Sequence, residues 1–434
     1  MVVCFGLLFA AVLNAAEPIA SAPPSSIAIS TGNMSLNSIL ELVRKNNPEI
    51  QAARHAWAAA ENVPEQARAL NDPTLGISRM LTKAGVQTTE GPMMDQFSIS
   101  QKIPFWGKRA LRGQAASLAA GVAYQAFRAK SLEIMDRAVR AYYGLYFLDK
   151  TTDILAEQQS VLNRFSRSAI RKYAVGKAPE TEALRAQVEL AKIENDLVTA
   201  EEEQQSARAR LNALLDRSAL APLGRPQRPD SPIFRWDETA WSRQALTQRP
   251  EILALEALKN KNAVERRLAI RNYFPDLTLG YQYSEIGGGT TNIPYDGRDV
   301  QALTFGLDLP IWLGKENAAL RQSRENLAAS RSGLAAMIDQ TGYEVDDLCV
   351  KADTAARLFK LYQDAVLPQA QAALDSSQSS YEVGKTSFLS LLDSERSLLS
   401  FELDQERHRV DFEIDIADLE RVSGGPLSAA GGKK

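Results

Sequence analysis

Cysteine and histidine are scarce in this sequence. Its 434 residues contain two cysteines, Cys4 and Cys349, and two histidines, His55 and His408. Metal centres and nucleophilic active sites need such side chains in clusters with defined spacing, whereas these four residues stand far apart. We recognise no metal-ligand cluster, no nucleophile paired with a base and no cofactor site in the sequence.

Strong charge and long apolar runs are also missing. The net charge of −3 gives no general case for nucleic-acid binding. After residue 16 no stretch is long and apolar enough to span a bilayer as a helix. The apolar run Val2–Ala16, followed by Glu17-Pro18, is typical of a secretory signal peptide, so we expect residues 1–16 to be a leader and the protein to be exported.

Proline is absent from four long intervals, and proline breaks helix interiors. These intervals are rich in strong helix formers, which predicts very long helices divided at the prolines. A helix from Gly107 towards Tyr173 would be about 100 Å long. The proline-free intervals lie between Pro104, Pro179 and Pro222, and between Pro310, Pro368 and Pro426.

Two other segments alternate apolar and polar residues at period two, which predicts strands. Leu303, Phe305, Leu307 and Leu309 alternate with small or polar residues, and so do Leu277, Leu279, Tyr281 and Tyr283. The first half repeats the pattern less cleanly, with Leu75 and Ile77, then Phe97, Ile99 and Ile103. We therefore expect one hairpin in each half, at about residues 73–105 and 276–309.

Four strands with an apolar outer face are typical of part of a transmembrane β-barrel, but four strands cannot close. Unpaired backbone groups are not tolerated in lipid, so closure requires other copies. The expected fold is an α+β membrane protein: a trimeric, 12-stranded transmembrane barrel with four strands per chain, continued by a long α-helical barrel. A soluble α+β protein with two exposed hairpins is the alternative.

Three sequence motifs recur in order, which predicts an internal tandem repeat. Asn47-Pro48-Glu49-Ile50 returns as Arg249-Pro250-Glu251-Ile252; Ile103-Pro104-Phe105-Trp106-Gly107-Lys108 returns, with one insertion, as Leu309-Pro310-Ile311-Trp312-Leu313-Gly314-Lys315; and Tyr173-Ala174-Val175-Gly176-Lys177 returns as Tyr381-Glu382-Val383-Gly384-Lys385. The offsets are 202 (250 − 48), 206 (310 − 104) and 208 (383 − 175). We expect a first repeat at 17–219, a proline-rich linker at 220–235, a second repeat at 236–423 and a flexible tail at 424–434.

These paired motifs resemble the TolC-type outer-membrane efflux family over nearly the whole mature chain. The resemblance implies a homotrimer in the outer membrane of a Gram-negative bacterium, in contact with its lipid. It also implies a passive exit duct that is not an enzyme and whose helical barrel crosses the periplasm. The implied partners are a periplasmic adaptor, or membrane fusion protein, and an inner-membrane transporter of the resistance-nodulation-division (RND) type.

The resemblance also assigns roles to the two Tyr-x-Val-Gly-Lys turns, which lie at the periplasmic tips in that family. The implied adaptor-docking residues are Tyr173, Val175, Gly176, Lys177, Tyr381, Val383, Gly384 and Lys385. The implied gate residues are Asp393 and Ser390, where the family often has two acids, and Glu182, taken as the counterpart of Asp393. One acid of the usual pair is thus missing.

The nature of the cargo is open from the sequence. Gly91-Pro92-Met93-Met94 and the strand after it are similar to the heavy-metal branch of the family, and thioethers are soft ligands for Cu(I) or Ag(I). Heavy-metal ions are therefore the first expectation, with organic toxicants or drugs next. A type I secretion duct for proteins and a periplasmic structural or adaptor-like coiled coil are the alternatives.

Overall fold

The computed structural model describes residues 34–79, 87–88, 91–232, 237–288, 294 and 297–426. The expected leader and residues 427–434 of the expected tail lie outside these residues. The elements, in chain order, are α1 (Leu36–Asn46), α2 (Pro48–Glu61), α3 (Val63–Arg68), β1 (Thr74–Arg79), β2 (Gln87–Thr88), β3 (Gly91–Ile103), α4 (Lys108–Ala174), α5 (Glu180–Leu214), α6 (Glu238–Gln248), α7 (Pro250–Arg271), β4 (Asp276–Ile286), β5 (Val300–Asp308), α8 (Leu313–Leu361), a π-helical turn (Tyr362–Val366), α9 (Leu367–Glu382) and α10 (Phe388–Ser423).

The long proline-free intervals are helical. The longest helix, α4, has 67 residues and is therefore about 100 Å long. The predicted division at Pro368 is wrong, because helix continues through it from α8 to α9. The π-helical turn that ends at Val366, two residues before Pro368, offers the physical reason, since a local change of helical pitch accommodates a residue without a backbone N–H. Among the described helices, none is long and apolar enough to cross a membrane.

The main sheet is antiparallel, with strand order β1-β3-β4-β5, and the short β2 pairs with β3. The central pair, β3 and β4, joins the two halves of the chain, with Ile99 opposite Tyr281 and Ser98 opposite Gln282. β1 and β5 are the outer strands of this path.

Opposite residues of an antiparallel pair lie on the same face of the sheet, so the register shows which side chains share a face. Ile77 lies opposite Phe97, Phe97 opposite Tyr283, and Tyr281 opposite Leu303. One face is therefore largely apolar across all four strands, and the other carries residues such as Ser98, Gln282 and Ala302. The apolar face is open within one chain: Leu303 and Phe305 are each 73% exposed.

The core lies between the helices. Tyr142 and Tyr146 of α4, 1% and 2% exposed, belong to a cluster of buried apolar residues in this core. The proline-rich segment after α5 packs on this cluster as extended chain. The Tyr142 hydroxyl donates to the Met34 carbonyl at 2.7 Å and accepts from the Gln227 amide at 2.8 Å. The connection between the halves is thus docked on α4 along the part that the structure describes.

Candidate functional site

The two turns that carry the Tyr-x-Val-Gly-Lys motif, between α4 and α5 and between α9 and α10, share one geometry. Gly176 and Gly384 have φ of 72° and 74°, in the left-handed region that favours glycine. The amide of Lys177 donates to the carbonyl of Lys172 at 2.8 Å, and that of Lys385 to Ser380 at 2.9 Å. This hydrogen bond and the left-handed glycine define a Schellman helix end, so each turn is set by its own short sequence.

The helices that follow the turns begin differently. Glu180 and Glu182 occupy the first turn of α5, where carboxylates oppose the helix dipole. In α10 the Ser387 hydroxyl instead caps the amide of Ser390 at 3.2 Å.

The starts of these helices correct one expectation. Glu182 is the third residue of α5 and Ser390 is the third residue of α10. Glu182 is therefore the counterpart of Ser390, and the predicted correspondence of Glu182 with Asp393 is wrong. The residue of α5 that matches Asp393 is Arg185, a base.

Most of the expected docking residues lie at the surface of the turns. Val175 and Val383 are 67% and 68% exposed, and Tyr173 is 46% exposed; Gly176, Lys177, Gly384 and Lys385 are exposed as well. Tyr381 is the exception at 4%. The exposed surface is thus apolar at its tip, with a lysine in each turn.

Tyr381 connects the two turns. Its hydroxyl donates to Glu182 Oε2 at 3.0 Å, while the Lys172 ammonium lies 3.8 Å from its ring centroid and donates to its carbonyl. Phe388 packs on the ring with centroids 5.4 Å apart. Burial, together with the Glu182 carboxylate, raises the pKa of Tyr381, so the hydroxyl stays protonated and remains a donor.

Asp393 belongs to a separate group of charges. Its carboxylate is 61% exposed and lies 3.6 Å from Arg396, which also donates to Glu189 Oε2 at 3.1 Å. Lys192 lies 2.9 Å from the same Glu189 carboxylate. Burial opposes ionisation of Glu189, but hydrogen bonds from Arg396 and Lys192 hold its pKa below the ordinary value. The structure therefore brings Glu182 to Tyr381 and leaves Asp393 and Ser390 exposed on α10.

Glu395 is a buried acid that the sequence reasoning missed. It is 1% exposed, and its Oε1 atom has no hydrogen-bond partner within the described part of the chain. Burial, then the nearby Glu189 carboxylate, raises its pKa to about 7. Its position seven residues after Phe388 and three before Leu398 was the available signal, since both neighbours fall on the buried stripe of α10.

Another group of charged residues lies at the junction between the sheet and the helices. The Lys108 ammonium, with a side chain 5% exposed, lies 2.7 Å from Asp276 Oδ1 and donates to the Phe274 carbonyl at 2.8 Å. The Phe105 amide donates to the same Asp276 oxygen at 2.9 Å. Lys108 ends the first Trp-Gly-Lys motif, whereas Lys315, which ends the second, is 82% exposed.

Comparison with known proteins identifies the family. Residues 39–217 and 241–425 match the family described as outer membrane efflux protein. This chain belongs to that family. Its members are channels and not enzymes, so the chain is a transport protein of the outer-membrane efflux type.

Individual relatives resemble the chain along most of its length. The cobalt-zinc-cadmium resistance protein CzcC of Cupriavidus metallidurans is 24% identical, with 85% of this chain and 84% of CzcC covered. The alkaline protease secretion protein AprF of Pseudomonas aeruginosa is also 24% identical, with 89% and 86% covered. The crystal structure of the outer membrane protein VceC of Vibrio cholerae superimposes with a TM-score of 0.77 at 20% identity, covering 91% of this chain and 97% of VceC, so the fold is that of a solved outer-membrane protein.

Proposed function

We propose that this chain is one third of a passive exit duct, in which three copies close a twelve-stranded barrel in the outer membrane. The observation that carries the proposal is the sheet β1-β3-β4-β5, which has one apolar face and whose outer edges, at β1 and β5, pair with no other strand in the described part of the chain. An open sheet edge in lipid leaves each unpaired backbone group at a cost of several kcal/mol. Two further copies remove these edges, and the long helices then form a tunnel through the periplasm.

The helix turns are the proposed contact with the rest of the pump. Exposed Val175 and Val383 give each turn an apolar tip, which suits a partner that buries apolar surface. The proposed partner there is a periplasmic adaptor, which joins the duct to an inner-membrane transporter of the RND type. Tyr173, Lys177 and Lys385 border the apolar tips, while Gly176 and Gly384 fix their shape. Tyr381 acts from inside, by holding the two turns of one chain together.

The proposed gate lies next to these turns, at Asp393, Ser390 and Glu182. Asp393 is exposed on α10, and in the proposed trimer its three copies lie near the common axis as a ring of carboxylates. Such a ring attracts cations, and its three carboxylates repel one another. Glu182 contributes through Tyr381, because this hydrogen bond holds the second turn against the first.

Heavy-metal ions are the proposed cargo. The similarity to CzcC, whose name records cobalt, zinc and cadmium resistance, supports this choice, as do Met93 and Met94 on β3. The equal identity to AprF, named for protease secretion, supports the second candidate, a type I secretion duct.

Two measurements test the proposal. Membrane fractionation and size analysis with and without detergent should place the protein in the outer membrane as a detergent-dependent trimer. A water-soluble monomer would refute the duct.

A deletion strain should then lose tolerance to at least one of copper, silver, zinc, cobalt and cadmium, and regain it from a plasmid copy. Unchanged metal tolerance combined with loss of a secreted protein would favour the secretion duct.

A further inference from the structure

The outer edges of β1 and β5 pair with no other strand among the residues that the structure describes. Their apolar side chains are open in the single chain: Leu75 and Ile77 of β1 are each 59% exposed, and Leu307 of β5 is 61% exposed. The proposed function requires that β5 of one copy meets β1 of the next. It does not say which residues lie opposite each other.

The recurring sequence supplies a template for this seam. β3, which ends at Ile103 directly before Pro104, is the counterpart of β5, which is followed by Leu309-Pro310. β4 is the counterpart of β1, because Thr278-Leu279-Gly280 repeats Thr74-Leu75-Gly76. The pairing of β3 with β4 inside the chain is therefore the equivalent of β5 against β1 of a neighbouring copy.

We propose that the seam between copies has the register of this internal pair, an inference that rests on the proposed closed barrel. The template places Phe97 opposite Tyr283, Ser98 opposite Gln282, Ile99 opposite Tyr281 and Gln101 opposite Leu279. Transferred to the seam, the pairs between copies are Leu303 with Arg79, Thr304 with Ser78, Phe305 with Ile77 and Leu307 with Leu75.

Side-chain chemistry agrees with this register at three of the four pairs, the exception being Leu303 with Arg79. Phe305 with Ile77 and Leu307 with Leu75 pair apolar residues on the outer face, and Thr304 with Ser78 pairs hydroxyls on the inner face. A slip by one residue would set apolar against polar side chains. A slip of β1 by two residues towards the end of β5 would place Thr74 opposite Pro310, which has no amide to donate.

Contacts beside the sheet follow the same rule. Phe105 stacks on Phe274 with ring centroids 4.6 Å apart and planes 11° from parallel. By the offsets of the two strands, their counterparts are Ile311 and Leu70, which are 68% and 42% exposed in the single chain. The register that aligns the strands thus also brings these two exposed apolar side chains together.

Cysteine cross-linking of the full-length protein in outer membranes tests the register. The background carries Cys4→Ser and Cys349→Ala, and Ser78→Cys is combined in turn with Ala302→Cys, Thr304→Cys or Gly306→Cys. Opposite Cβ atoms lie about 4.5–5.5 Å apart and diagonal ones about 7–8 Å, whereas a disulfide needs about 3.5–4.5 Å. After mild oxidation, we expect reductant-sensitive dimers and trimers to form about tenfold faster with Thr304→Cys than with either neighbour.

A matched control is available inside the chain. Ser98→Cys with Gln282→Cys copies the proposed pair at the internal seam, so it should close within one chain at a comparable rate. Faster cross-linking through Ala302→Cys or Gly306→Cys would overturn the register while the trimer stands. A trimer in which the internal pair closes but no β5 position links to Ser78→Cys would overturn the β5–β1 seam. A monomer would instead refute the proposed function.

Discussion

At the scale of single residues, the tyrosines of the two turn motifs have different surroundings. Tyr173 is 46% exposed, whereas Tyr381 is 4% exposed and donates to Glu182. The local motif is the same in both turns, and so is the backbone geometry. Different neighbouring helices therefore give one tyrosine a surface position and the other an internal contact.

The proposed gate makes a prediction for Asp393. Asp393→Ala removes a carboxylate that is 61% exposed and leaves the buried stripe of α10 intact. Because it would take three negative charges from the constriction, we expect a several-fold rise in single-channel conductance and weaker block by multivalent cations. Both are measured in planar lipid bilayers.

Glu382→Ala is the matched control, since Glu382 is an exposed acid at the end of α9, close to the same turn. It should change conductance little. If Asp393→Ala gave the conductance and cation block of the parent protein, Asp393 would not be part of the gate.

At the scale of elements, α10 has a buried acid, Glu395, on the side that lies close to Glu189 of α5. Glu395 is 1% exposed, and burial followed by the Glu189 carboxylate raises its pKa to about 7 from an ordinary 4.5. Arg396 favours the ionised form of Glu395 and Glu402 opposes it. The folded chain thus holds a proton on Glu395 across a pH range in which the unfolded chain has lost it.

The sign of the pH dependence follows from this difference. Below the pKa that Glu395 has in the unfolded chain, both states carry the proton, so ionisation of Glu395 does not lower the stability of the folded state. Between the pKa values of the unfolded and folded states, only the folded state keeps the proton on Glu395, so the stability of the folded state falls as the pH rises. Above about pH 7 this decrease in stability is complete. A shift of this size corresponds to about 3 kcal/mol per chain.

We therefore expect Glu395→Gln to raise the unfolding temperature relative to the parent above about pH 7, and to show a much smaller gain near pH 4. The measurement is thermal unfolding of the detergent-solubilised protein followed by circular dichroism at several pH values. The exposed Glu382→Gln should show no such gain. A gain for Glu395→Gln that is equal at both pH extremes would contradict the buried proton.

At the scale of the whole molecule, the connection of sheet to helices depends on a buried ion pair. Lys108 opens α4 and reaches Asp276 at the start of β4, with side chains 5% and 14% exposed. Removing one partner of such a pair leaves the other charge without compensation. The 2.9 Å bond from the Phe105 amide and Lys102 at 3.7 Å offset part of the loss.

Lys108→Met should therefore destabilise the folded protein by about 2 kcal/mol, less than a fully buried pair would lose. The measurement is a lower thermal unfolding temperature in detergent. Lys315→Met is the matched control, because Lys315 ends the second copy of the motif and is 82% exposed; it should lower the unfolding temperature less than Lys108→Met does. Equal unfolding temperatures for Lys108→Met and the parent would show that the junction does not depend on this ion pair.

The sequence predicted the elements better than the contacts between them. Helix and strand follow from local properties, such as the absence of proline before Pro179 or the alternation around Phe305, and these properties act within a few residues. The contact of Tyr381 with Glu182 joins residues 199 positions apart and depends on how α5 and α9 pack. The continuation of helix through Pro368 was missed because a short π-helical turn leaves no clear local pattern.

The sequence alone determined the long helices, the alternating strands and the two glycine turns, because backbone preferences and hydrophobic periodicity are local properties. Only the tertiary structure decided that Tyr381 and Glu395 are buried, that Asp393 is exposed and that Lys108 rather than Lys315 is paired within the chain. Burial and pairing are set by elements distant in sequence, so they differ even where the two halves repeat the same residues.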